Sequence, residues 1–303
     1  MDIPLIDIAP LAGADAAARA QVAVAIGRAC RDTGFFAIEG HGVAEATVAS
    51  AFAAAQALFA LAPEAKQALA IGRHGHNRGW VALGVESLDE RAQPDLKEAF
   101  NLIWTDERSR PPNVWPPIDG WREAVQPYFD AALAVGRRLH RAFALDLGQP
   151  EHYFDDKLDQ PQATLRMLRY PAEFAGDTPA GRPGAGTHTD YGNVTLLATD
   201  GVAGLQVQGR GGGWIDVPAL PGRFVCNIGD CLMRWSNDVY VSTPHRVLPP
   251  ARERYSLAFF LDPNPDALVS ALPDCVPAGE APRQPPITAG EYLRQRVAAT
   301  YGR

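Results

Sequence analysis

Leu165-Arg166-Met167-Leu168-Arg169-Tyr170, stopped by Pro171, opens the part of the chain that decides the fold. From residue 163 onward, short runs of aliphatic, aromatic and β-branched residues alternate with glycine and proline punctuation. Leu165 to Tyr170, Val194 to Ala198, Leu205 to Gln208, Trp214 to Val217, Phe224 to Ile228, Val241 to Val247 and Ser256 to Leu261 read as strands. No long helical pattern separates them. Many short strands in series close on themselves as an antiparallel barrel or jelly roll.

Working back towards the N-terminus, the pattern turns helical. Ala14 to Ala29 places Val22, Ala25, Ile26 and Ala29 at helical spacing, and Ala44 to Leu61 does the same with Val48, Phe52 and Phe59. Trp121 to Leu147 reads as a long helix closed by Gly148, with Pro127 marking a kink or a later start. Leu5 to Ile8 and Phe35 to Ile38 read as strands around the first helix, and Thr288 to Thr300 as a last helix packed outside. The fold class is therefore mixed α+β with a mainly β core. Residues 1–160 form a helical and strand region packed on the core at 161–265, and 266–303 a C-terminal loop and helix, in one compact unit. The proline-rich stretches 111–117 and 277–286 read as surface loops.

Composition narrows the partners. The chain has 303 residues, 47% hydrophobic and 21% charged, an ordinary globular balance. A net charge of −7 is the wrong sign for nucleic acid or an anionic membrane surface. Met1-Asp2-Ile3-Pro4 lacks the basic start of a signal peptide, and no apolar stretch approaches the roughly 20 residues that span a bilayer. The expectation is a cytoplasmic protein with a small-molecule substrate, no nucleic-acid or membrane partner and no obligate protein partner. The four cysteines, Cys30, Cys226, Cys231 and Cys275, make no C-x-x-C pair and read as reduced thiols in the core.

Two motifs inside the strand-rich part carry chemistry. His188-Thr189-Asp190 puts an imidazole and a carboxylate at i and i+2, which share a face on a strand. His245, in a later strand, supplies a second imidazole. Two histidines and one carboxylate are the ligand set of mononuclear non-haem Fe(II) sites that keep one face of the metal open. Arg254-Tyr255-Ser256 repeats the i, i+2 logic, pairing a guanidinium with a hydroxyl as a receptor for a carboxylate. An arginine entering the apolar run Leu257 to Leu261 needs an anionic partner.

With these residues in hand, a family resemblance is plain. Gly186-Thr187-His188-Thr189-Asp190-Tyr191-Gly192, Asn227-Ile228-Gly229-Asp230, Ser242-Thr243-Pro244-His245-Arg246-Val247 and Arg254-Tyr255-Ser256 resemble the isopenicillin-N-synthase-like group of Fe(II)- and 2-oxoglutarate-dependent oxygenases. Ile3-Pro4-Leu5-Ile6-Asp7, Gly34-Phe35-Phe36 and His41-Gly42-Val43 resemble its N-terminal region. The resemblance implies a distorted double-stranded β-helix (jelly roll) flanked by N-terminal helices and a C-terminal helix. It makes His188, Asp190 and His245 the iron ligands. Arg254 and Ser256 would bind the distal carboxylate of 2-oxoglutarate, with Tyr170 at the same end and Asn227 and Leu197 lining the cosubstrate. Fe(II), 2-oxoglutarate and O2 are the implied cofactors, with ascorbate as a stimulant. The implied reaction oxidises, by default hydroxylates, a substrate C–H bond with release of succinate and CO2.

Two other readings stand beside it. One is an oxidase of the same fold that does not use 2-oxoglutarate, since Arg169-Tyr170-Pro171 is closer to isopenicillin N synthase than to the plant-type Asn-Tyr-Tyr-Pro. The other is a non-catalytic binding protein, which the complete ligand set disfavours. Arg73, Arg78, Trp80, Phe100 and Trp235 are placed in the substrate-pocket wall by their positions along the chain. His74 and His76 read as a solvated loop, His41 as structural, and His152 as a helix end. His140, among Arg137, Arg138 and Arg141, reads as part of a solvated helix face. Lys97 is assigned no chemistry.

Overall fold

Strand alternation in the central strands of one large sheet separates a packed core from a cavity lined by both polar and apolar side chains. In the computed structural model, residues 3–88, 94–106, 111–172 and 182–301 are described, with side chains as far as residue 298. The large sheet has eight strands: β1 (Leu5–Asp7), β2 (Phe35–Glu39), β10 (Phe224–Ile228), β7 (Val194–Thr199), β12 (Arg254–Asp262), β5 (Gln162–Tyr170), β4 (Glu98–Ile103) and β3 (Gly79–Val81), in that spatial order. A second sheet of four strands faces it: β6 (Ala185–His188), β11 (His245–Val247), β8 (Leu205–Gln208) and β9 (Trp214–Asp216). This is the expected distorted double-stranded β-helix. The N-terminal strands β1 to β4 extend its larger sheet at both edges. A small ribbon, β13 (Leu268–Val269) with β14 (Ile287–Thr288), follows it.

The helices α1 (Ala16–Asp32), α2 (Glu45–Phe59) and α5 (Trp121–Asp146) pack on one face of the large sheet. On β12 that face carries Leu257, Phe259 and Leu261, all fully buried. Its neighbours contribute Ala163, Leu165 and Met167 from β5, and Val194, Leu196 and Ala198 from β7. Burial of each large side chain is worth about 1.5–3 kcal/mol. The alternate residues, Arg254, Ser256, Ala258, Phe260 and Asp262 on β12 and Thr164, Arg166, Leu168 and Tyr170 on β5, line the cavity between the sheets. A one-residue slip would exchange the two sets, so the core dictates which residues meet the site.

Several sequence expectations change. α1 buries Ala23, Gly27 and Cys30, whereas Ala25 is exposed. α5 begins at Trp121 and continues through Pro127. Pro127 lies on the exposed face, where water can satisfy the carbonyl its missing N–H leaves free. Gly148, at φ +74°, ends that helix as expected. The strand expected from Val241 forms only at His245, because Pro244 lacks a ladder donor and Ser242 and Thr243 turn to partners elsewhere. The strands β3, β4, β13 and β14 and the short helices α3 (Pro63–Ala68), α4 (Ile71–His74) and α6 (Asp230–Trp235) have no counterpart among those expectations, while β6 meets the strand implied at His188 but stops there. The last helix, α7 (Ala289–Tyr301), forms as expected. No described helix is long and apolar enough to cross a membrane.

Candidate active site

β6 and β11 run antiparallel with His188 directly opposite His245, and their ring centroids lie 4.3 Å apart. Asp190 is not on the strand, contrary to the i, i+2 argument; β6 ends at His188 and Asp190 lies in the following turn. The start of α6 holds that turn, with Asp230 N–H donating to Asp190 O at 2.8 Å and Gly229 N–H to Asn193 O at 3.0 Å. The Asp230 carboxylate also accepts from Thr189 Oγ1 (3.4 Å), Ser242 Oγ (2.7 Å) and Tyr292 Oη (2.9 Å). One carboxylate thus ties the Asp190 turn to the lead-in of β11 and to α7.

The donor atoms converge. Asp190 Oδ1 lies 3.7 Å from His188 Nε2 and 3.6 Å from His245 Nε2, and one ligand atom from each residue lies within 4.8 Å of the others. Among the described residues this is the one such cluster of His, Cys, Asp and Glu. Each imidazole is oriented from behind, His188 Nδ1 on Gly186 O at 2.8 Å and His245 Nδ1 on Thr243 O at 3.1 Å. With the proton held at Nδ1, each Nε2 turns a lone pair to the common point. Asp190 Oδ2 accepts from Asn227 Nδ2 at 2.7 Å and from the Thr195 hydroxyl, which leaves Oδ1 to face the histidines.

The protonation states suit a cation. Burial, and then His245 beside it, push His188 down to about 3, so its imidazole is neutral. Burial opposes the ionisation of Asp190, but the two imidazoles and the hydrogen bonds from Asn227 and Thr195 hold it below the usual carboxylate range. Two imidazoles and one carboxylate fit a divalent ion of the borderline N/O-binding kind, with the cavity side left open.

Farther along the same cavity lies Arg254, 1% exposed. Its guanidinium donates to Val202 O at 3.1 Å and Ser256 Oγ at 3.3 Å and lies 4.8 Å from the Tyr170 ring centre. The β5–β12 register sets Tyr170 directly opposite Arg254. No carboxylate among the described residues pairs with this buried cation. Leu197 and Asn227 line the cavity between Arg254 and the three-residue cluster, though Asn227 also orients Asp190.

The substrate-wall residues expected from the sequence fall elsewhere. Trp235 and Phe100 are fully buried in the helix-side core, Trp235 against the Phe154 ring at 5.2 Å and Phe100 against Trp121 at 5.5 Å. Trp80 belongs to the same core and donates Nε1–H to Glu98 Oε2 at 2.8 Å. Arg78 is spent on Ile103 O and Asn113 Oδ1, and Arg73 is exposed on α4. None of the five lines the cavity. An aromatic residue type announces burial but not which side of the sheet it is buried on.

The wall is built by other residues. Lys97, 4% exposed, pairs with Asp95 and lies 3.7 Å from Glu86 Oε2, and Arg166 pairs with Glu86. Asp95 Oδ1 accepts from Gly186 N–H at 2.9 Å, which links this charge cluster to the carbonyl that orients His188. Asn77 and Asn101, Tyr191, Phe260 and Asp262, and Leu293 and Val297 of α7, complete it. Extending the alternation of β5 and β12 would have found Thr164, Arg166, Phe260 and Asp262.

His140 is the other correction. It is fully buried, Nδ1 on Gly136 O at 2.8 Å and Nε2 accepting from Asn193 Nδ2 at 2.9 Å, between Phe143 and Phe154. It lies on the stripe of α5 that includes Leu133 and Gly136, so helical phase overrides the charged neighbours. Burial lowers it to about 4. His41 is structural, on Gly222 O at 3.0 Å. His74 is exposed and stacks on His76. Cys30, Cys226 and Cys231 are buried in the helix-side core, and Cys275 is half-buried.

Comparison with known proteins agrees with this geometry. Residues 3–118 match the family described as non-haem dioxygenase in morphine synthesis N-terminal, and residues 161–263 the 2OG-Fe(II) oxygenase superfamily. The 2-oxoglutarate-Fe(II) type oxidoreductase hxnY of Emericella nidulans is 35% identical, over 99% of this chain and 90% of that protein. Homoarginine-6-hydroxylase 2-ODD-233 of Oryza sativa subsp. japonica is 32% identical, over 99% and 97%. The crystal structure of a full-length Neurospora crassa protein in complex with alpha-KG and thymine superposes with a TM-score of 0.90 at 33% identity, covering 99% of this chain and 97% of that one.

Proposed function

The chain belongs to the Fe(II)- and 2-oxoglutarate-dependent oxygenases, and on that premise we propose that His188, Asp190 and His245 hold the iron while Arg254 receives the distal carboxylate of 2-oxoglutarate. Arg254 carries this reading. A fully buried guanidinium without an anion is costly, and it faces the same cavity as the three convergent donors. When bound, Fe(II) supplies oxygen activation: 2-oxoglutarate loses CO2 and takes one oxygen atom to become succinate, and the other atom enters a substrate C–H bond as a hydroxyl.

The residues have separate tasks. Gly186 and Thr243 carbonyls keep both imidazoles in the liganding tautomer, and Asn227 and Thr195 keep the Asp190 carboxylate turned to them. Ser256 and Tyr170 complete the seat around Arg254, and Leu197 bounds the cosubstrate between the two ends. The substrate takes the opposite end, against Asn101, Arg166, Phe260 and Asp262. One cavity of about 240 Å³ serves cosubstrate and substrate together, which favours a compact substrate, in keeping with the thymine held by the Neurospora neighbour.

The test is metal and cosubstrate binding. Anaerobic Fe(II) plus 2-oxoglutarate should develop the visible charge-transfer absorption of an iron-bound 2-oxo acid. His188→Ala and Asp190→Ala should abolish both the absorption and succinate formation. Near-wild-type absorption and turnover in either variant would overturn the ligand assignment.

A further inference from the structure

Asp262 is the last cavity-facing residue of β12, at the opposite end of the strand from Arg254. Its carboxylate has no hydrogen-bond or ion-pair partner among the described residues. The carboxylate lies directly against Gly192, on the turn that carries Asp190. A Cβ on that glycine would come within 1.4 Å of Asp262 Oδ1, so a side chain there would push the carboxylate out of this position. Phe260, one step back on the same face, adds an apolar ring, and Leu293 and Val297 of α7 add aliphatic surface.

In the loaded site every other charge on the described residues lining this cavity has a counterpart. Lys97 and Arg166 are matched by Asp95 and Glu86. On the reading given above, which this inference rests on, Fe(II), Asp190, 2-oxoglutarate and Arg254 cancel. Asp262 remains as the single uncompensated charge in a loaded site. Burial opposes ionisation of its carboxyl, so a cation seated beside it would favour the charged form.

We propose that Asp262 is the substrate-recognition residue and that the substrate is a compact, largely apolar molecule bearing a protonated nitrogen. The nitrogen donates to Asp262, and the apolar body lies along Phe260 towards the iron ligands. A buried, charge-assisted bond of this kind discriminates strongly against a neutral analogue.

Benzylammonium and its neutral analogue benzyl alcohol test this by calorimetric titration into the enzyme with Fe(II) and 2-oxoglutarate, anaerobically and at about pH 8. The expected result is an ammonium preference of at least about tenfold. Asp262→Asn, which preserves size, should bring the two probes within about twofold while leaving the charge-transfer absorption intact. Equal binding of both probes by the wild type, or a preference that survives in Asp262→Asn, would overturn the proposal. The absorption is recorded on the same samples. Its failure to form would count against the iron reading alone, since the probe preference is a property of the cavity carboxylate and is still measured.

Discussion

Replacing Arg254 with methionine isolates the electrostatic half of the site. Methionine fills much of the same space without charge. The wild-type guanidinium is buried against neutral acceptors, among them Val202 O and Ser256 Oγ, so its removal should cost the ligand-free protein little. The cosubstrate complex should suffer instead. Two charge-assisted bonds to a carboxylate are worth about 1.5–3 kcal/mol each, partly offset because Ser256 and Tyr170 remain. A net loss of about 3 kcal/mol raises the 2-oxoglutarate Kd roughly 150-fold. At a ligand concentration 100 times the wild-type Kd, the wild type gains about 2.7 kcal/mol, or roughly 5 °C in Tm for a chain this long. The Met variant should gain almost nothing, and Arg254→Lys, with charge but no fork, should fall between. Thermal unfolding with and without 2-oxoglutarate reads both quantities. A Met variant that binds 2-oxoglutarate within about threefold of wild type would refute the reasoning.

His140 predicts a pH dependence of stability. Its folded value is depressed to about 4 from 6.5, so on acidification the unfolded chain takes up the proton first. The stability it contributes is complete above about pH 6.5 and is lost as pH falls towards 4, by about 3 kcal/mol. His140→Gln, which can still accept from Asn193, should flatten that part of the denaturant-measured profile; an unchanged slope would contradict the assignment. Trp235→Ala should cost about 3–5 kcal/mol of stability, as loss of a buried aromatic does, while the folded fraction binds Fe(II) and 2-oxoglutarate as wild type does. Weakened cosubstrate binding at unchanged stability would instead return Trp235 to the site.

How much is legible in advance follows from the range of the interactions. His188, Asp190, His245, Arg254 and Ser256 stand in short motifs whose spacing carries meaning, and their neighbours carry the family resemblance. The strands of the core are legible from period-two alternation, and α5 from period 3.6. The failures are of two kinds. His140 takes its environment from its angular position on α5 and not from its arginine neighbours, and Asp262 escapes notice when β12 is ended one residue early, at Leu261. In both cases a local signal exists.

The other failures have no local signal. Lys97 reaches the site because β4 pairs with β5. Leu293 and Val297 reach it because α7 folds back, Tyr292 bonded to Asp230. Asp190 is aimed by Asn227 and Thr195 from two other strands and by backbone bonds at the start of α6. The kind of chemistry is therefore written into the chain itself, because the donor types and their motifs are properties of the residues in order, although the turn that carries Asp190 to the two imidazoles is not the strand its spacing implied. The substrate end is settled by folding, because a wall assembled from β4, β5, β12, the Asp190 turn and α7 exists only once long-range packing has set which face each strand turns inward.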